Sequence, residues 1–181
     1  MNQAATPSPH SRSKRRTRTL LAGTAALLLG SSVLVLAGAN AATVTVPSTG
    51  DAFVSTGAPN ANNGGAQYIR TSTASNTFKS YLAFDLSGVS GTITAASLQL
   101  YSRSSQTGTY KVSATTAFDQ ATITWNNAPA LGAQVGSFSK TTKNSWTIVD
   151  VTPAAKAGSV VYLAVSGGNT KTTDWDSREA P

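Results

Sequence analysis

The stretch KSYLAFDLSG, residues 79–88, decides the fold. Leu82, Phe84 and Leu86 recur at every second position, with Tyr81, Ala83 and Asp85 between them. A period of two puts alternate side chains on opposite faces of an extended chain, whereas a helix needs apolar residues three and four apart. The pattern returns in ASLQLYSR (96–103), where Leu98 and Leu100 point inward and Gln99, Tyr101 and Arg103 outward. In GTYKVSATT (108–116), Tyr110, Val112 and Ala114 oppose Lys111, Ser113 and Thr115. TVTVP (43–47), DAFVST (51–56), AQYIRTS (66–72), SWTIVDV (145–151), SVVYLAVSG (159–167) and TTDWDSR (172–178) complete the series. Gly, Ser, Thr or Asn bounds each segment, and turns recur about every ten residues, as in antiparallel sandwiches. Only DVTPAAKAG (150–158) reads as a helical turn, with Thr152 as cap, Pro153 in the first position and Gly158 at the end. The predicted class is all-β, an antiparallel, jelly-roll-like β-sandwich.

Residues 1–41 are expected to be a signal peptide rather than part of that domain. Arg12, Lys14, Arg15, Arg16 and Arg18 form a basic region, Leu20–Ala37 an apolar run, and Ala39-Asn40-Ala41 a cleavage site of small residues. Arg15-Arg16 hints at twin-arginine export, but the polar TRT that follows favours general secretion. Cleavage after Ala41 predicts a secreted, extracellular domain of residues 42–181 with no membrane segment. It leaves nine basic residues of fourteen against seven acidic ones, a net charge of about +2, which removes the support for a nucleic-acid partner. The chain has no Cys, so packing and not disulfides must hold it. Its one His, His10, lies in the leader, so the domain has no imidazole for catalysis or metal binding.

Five stretches carry a resemblance: DAFV…PNANNGG, KSYLAFDLSGVSGTITAASLQLY, ITWNNAPALG, WTIVDVTPAAKAG and the closing DSREA. In this order they resemble the DNRLRE-domain proteins, which overlap carbohydrate-binding module family 96. The resemblance covers the chain from about Thr43 onward and implies a non-catalytic β-sandwich module that binds polysaccharide. Some members are similar to binders of acidic polysaccharide such as alginate. Family members carry a further Pro-x-Leu-Val-Val strand after the SREA segment. Here Pro181 stands where it would begin, so the resemblance implies a missing last strand and an open sheet edge prone to self-association. A structural or adhesive cell-surface module without sugar specificity is the alternative reading. A polysaccharide lyase-like enzyme, using Tyr101 with Arg103 as acid–base groups, is a minor one.

Tyr81, Tyr101, Arg103 and Lys111 are expected on the solvent side of three consecutive strands, with Lys79 adjoining. There, aromatic faces and cations would meet sugar C–H groups and uronate carboxylates. Trp146, near Lys140 and Lys143, is expected to be partly exposed and to join the ligand-binding set. Trp125 and Trp175 are expected as core anchors, Trp125 with its indole N–H satisfied locally. Arg178 and Glu179 are expected as scaffold, Arg178 bridging Asp174 and Asp176 on one strand face. No cofactor and no catalytic residue is expected. Asp51, Asn62, Asn63 and Asp150 offer oxygen ligands for a structural Ca²⁺, although no Ca²⁺-loop spacing is present.

Overall fold

The structure, a computed structural model, describes residues 32–38 and 43–181. The strands are β1 Val33–Gly38, β2 Thr43–Ser55, β3 Tyr68–Thr71, β4 Phe78–Asp85, β5 Ile93–Ser102, β6 Gln106–Ala114, β7 Gln134–Thr141, β8 Ser145–Asp150, β9 Val160–Gly168 and β10 Thr173–Asp176. They pair antiparallel as an all-β sandwich. One layer holds β8, β5, β1, the first half of β2, and β3 with β10. The other runs from the second half of β2 through β4, β9 and β6 to β7. β2 belongs to both, and a bulge between Ser48 and Gly50 marks the change of layer.

The alternation read from the sequence explains what lies between the layers. Leu34, Leu36, Ile69, Leu98, Leu100 and Trp175 from the first layer meet Leu82, Phe84, Tyr110, Val112, Leu163 and Val165 from the second, all buried. Tyr110 stacks on Phe138 with ring centroids 4.5 Å apart, and Trp175 meets both edge-on at 5.9 and 6.0 Å. Burial of each such side chain stabilises the fold by about 1.5–3 kcal/mol.

The second layer is covered on its outer side as well. Residues 115–133 fold over it, and Ile123, Phe118, Trp125 and Ala128 pack on Ala52, Val54, Tyr81 and Ala164. The Tyr81 hydroxyl donates to the Pro129 carbonyl at 3.0 Å. Desolvation there pushes the phenol pKa up.

Several elements differ from the sequence expectation. TVTVP and DAFVST form one long strand, β2. β7 has no counterpart among the segments read from sequence, because QVGSFSKT lacks an apolar alternation. The helical turn is a short 3-10 turn, Thr152–Ala154, with Val151 in the cap position and no side-chain cap. Thr152 instead donates to the Asp150 carboxylate and accepts from the Ala96 N–H. Finally, Val33–Gly38, placed by sequence inside the leader, is here an interior strand. Its VLVLAG pattern suits a strand as well as it suits an apolar leader run. The basic region and Ala39-Asn40-Ala41 lie outside the described residues.

Candidate functional site

The outward patch expected from three consecutive strands does not form as one surface. β4, β5 and β6 follow one another in sequence, but β5 lies in one layer and β4 and β6 in the other. Tyr81 is 1% exposed, so its expected outward placement is corrected: the loop 115–133 turns that face of β4 into a second core. Lys111 is exposed on β6, between Ser137 and Ser166, on the layer opposite Tyr101. Lys79 lies with its ammonium 4.4 Å from the Trp125 ring centre. Trp125 itself is half-buried against the second core.

Tyr101 and Trp146 are brought together. They are direct cross-strand partners on β5 and β8, and their rings meet edge-to-face at 5.3 Å and 71°. Trp146 is 39% exposed, and Ile148, on the same outer face and opposite Gln99, is 61% exposed. The aromatic ledge is set by strand alternation: Thr147 and Val149 turn inward, which turns Trp146 and Ile148 outward. The turn entering β8 adds precision. Asn144 has φ +58, a left-handed conformation that asparagine tolerates, and its N–H donates to the Ser102 carbonyl at 2.8 Å. Lys140 and Lys143 flank this turn, exposed and without an ion pair among the described residues.

The face continues from Tyr101 to Arg103 and across β10 to β3. Arg103 pairs with Asp176, and Arg70 makes a two-pronged contact with Asp174 at 3.1 and 3.3 Å. Arg70 also lies 4.2 Å from the centre of the Tyr68 ring, and 5.3 Å from those of Phe53 and Phe78. These pairings overturn the bridging role expected of Arg178. β10 ends at Asp176, so Arg178 has left the strand, and the acids are held instead by Arg70 on β3 and by Arg103, one residue past the end of β5. Sequence reading missed Arg70 and Tyr68; their adjacency to β10 is a tertiary pairing with no local signal.

Arg178 belongs to a polar knot elsewhere. Its backbone N–H donates to Asp51 at 2.8 Å, and its guanidinium donates to the Thr49 carbonyl and to Gln120 at 2.8 and 3.2 Å. Gln120 also accepts from the Asp51 N–H and donates to the Gly64 carbonyl and Glu179. Asp51 is 1% exposed. Burial pushes its carboxyl up to about 7, reinforced by nearby Glu179 and opposed by the Arg178 N–H and the Ser48 hydroxyl. An open cleft of about 740 Å³ lies over this knot, with Phe118, Asp119 and Tyr162 on its walls. Its central amide, Gln120, is already held by four scaffold partners, so this cleft offers few free polar groups.

Three of the four oxygen-bearing side chains considered for a cation are engaged by the scaffold. Asn62 donates its amide to the Gln120 and Ile123 carbonyls, and Asn63 to that of Phe53. Asp150 is engaged by Thr152, whose hydrogen bonds hold its carboxyl below the usual range. Among the described residues no group of three or more His, Cys, Asp or Glu side chains is placed to hold a metal ion.

Trp175 is fully buried, and its indole N–H has no hydrogen-bond partner. Glu179 is half-buried, with one carboxylate oxygen on Gln120 and the other buried without a partner.

Two comparisons with known proteins bear on this geometry. The sequence model of one family, Carbohydrate-binding module family 96, matches residues 42–181. No curated protein matches the chain.

Proposed function

Since this chain belongs to carbohydrate-binding module family 96, we propose that it is a secreted, non-catalytic module whose outer β5–β8 face binds polysaccharide, preferentially acidic. One observation carries the reading: the edge-to-face pair of half-buried Tyr101 and exposed Trp146 on the outer face of the first layer. Such rings present apolar faces that pack on sugar C–H groups. Lys143, exposed in the turn entering β8 and without an ion pair among the described residues, supplies a cation for uronate carboxylates three residues from Trp146, whereas Lys140 lies on β7 of the second layer. Arg103 contributes less charge than its type suggests, because Asp176 neutralises it. Gln99 lies on the same face, available to hydroxyl groups.

The same geometry weighs against a lyase. Arg103 is paired to Asp176, so its guanidinium is not free to serve beside Tyr101. Asp51, whose carboxyl titrates near neutrality, is enclosed and beyond the reach of a polymer.

Affinity electrophoresis through gels containing alginate, or a neutral β-glucan, tests the proposal. Retention in the acidic gel that is lost in Tyr101→Ala/Trp146→Ala supports it. Equal retention of the double variant discards this face, and equal retention in both gels discards the acidic preference. Release of unsaturated sugar ends would overturn the non-catalytic reading.

A further inference from the structure

β1 fills an interior slot. Val33–Ala37 pairs with Pro47–Thr43 of β2 on one side and with Gln99–Ala95 of β5 on the other. Both edges of its backbone are therefore engaged, and Leu34 and Leu36 reach the core at 0% and 2% exposure. β1 also continues the row that β10 begins. Along β5, Trp175 opposes Ser102 and Val33 opposes Gln99, both strands run the same way, and the Ser32 hydroxyl lies 3.4 Å from the Asp176 carbonyl. Yet this strand precedes the segment matched by the family, 42–181. It also falls within the apolar run of a sequence that reads as a cleavable leader.

Without β1 the sandwich would have a gap one strand wide. Thr43–Pro47 and Ala95–Gln99 would each present a row of unpaired N–H and C=O groups, and Leu98 and Val46, the partners of Leu34, would lose their cover. Backbone hydrogen bonds on two sides and an apolar floor are the features by which sheets capture an added strand. The segment seated there shows what fits: about 20 Å of extended chain, uncharged and aliphatic from Val33 to Leu36, with the leucines at alternate positions turned into the core.

We propose that the gap between β2 and β5 is a strand-acceptor site. In a chain cut between Gly38 and Ala42 it takes an extended, uncharged segment of another polypeptide, bearing aliphatic side chains at alternate positions. A charge at either inward position is rejected, because it would be buried unpaired in the core.

The full chain, carrying a protease site in place of residues 39–42, is folded, cut and unfolded. It is then freed of the released segment and refolded beside the uncut chain. The probe is a labelled peptide of residues 32–38 with a solubilising tag, against the same peptide with Leu34→Asp and Leu36→Asp. Refolding, or a rise in melting temperature, that depends on the first peptide supports the proposal. So does binding at least about 100-fold tighter than that of the doubly charged peptide. Full recovery of the cut chain with no peptide overturns it, as does equal action of both peptides. It is also overturned if the cut chain fails to recover with the first peptide while the uncut chain refolds.

Discussion

Replacing Asp51 by Asn should remove a pH dependence of stability that the wild-type protein carries. Burial raises the Asp51 carboxyl from its ordinary 3.8 to about 7. The folded state therefore holds a proton that the unfolded state releases between these values. Stability contributed by that proton is complete below about pH 4 and declines as pH rises, until it is gone above about pH 7. A shift of roughly three units corresponds to about 4 kcal/mol, the upper end of what the site can deliver. In a domain of this size that is on the order of 10 °C in melting temperature. The carboxyls of Asp85 and Asp150 are held low by hydrogen bonds from Ser87 and Thr152, so their contributions fade only at more acid pH, outside this window. His10 is present in both proteins and cancels in the comparison. Thermal unfolding followed by circular dichroism at pH 5, 6, 7 and 8 is the assay. Wild type should lose melting temperature from pH 5 to 7 and level off by pH 8, while Asp51→Asn stays level throughout and overtakes it. Parallel curves would refute the reasoning and show that Asp51 is solvated.

Trp175→Ala should destabilise the domain by about 3–5 kcal/mol, since it empties the centre of an aromatic cluster; chemical denaturation measures this. Trp146→Ala should cost only about 0.5–1.5 kcal/mol of stability, the worth of its aromatic pair, while weakening polysaccharide binding about tenfold or more, read by titration calorimetry. Gly136→Ala would place a Cβ 2.5 Å from the Asp150 carbonyl oxygen, so a fall in melting temperature is expected although Gly136 has ordinary backbone angles. Lys143→Ala should reduce the salt dependence of acidic-polysaccharide binding and leave the melting temperature unchanged; an equal salt slope would remove this lysine from the site.

The layers of the sandwich were legible wherever side chains alternate, because the period of two is imposed by the strand itself. Leu82, Phe84, Leu98 and Leu100 all point where that period sends them. Which face meets solvent was not legible. Tyr81 alternates as an outward residue should, but it lies under a loop whose own sequence gives no hint of where it folds. The split of Tyr101 from Lys111 has a related cause: sequence neighbours in a sandwich cross between layers, so order along the chain is not order across a sheet. Pairings such as Arg70 with Asp174 depend on strands about a hundred residues apart and leave no local trace. The Tyr101–Trp146 contact, by contrast, joins two segments whose outward residues could each be read correctly.

β2 has a mechanical meaning beyond its place in the topology. Because one continuous strand is stitched to β1 in one layer and β4 in the other, tension along it loads both ladders in series. The bend at Ser48–Gly50 is then the corner through which the pull must pass. A polymer tugging on this domain would find no layer that peels away first, so the sandwich would hold, and then yield, as a single piece.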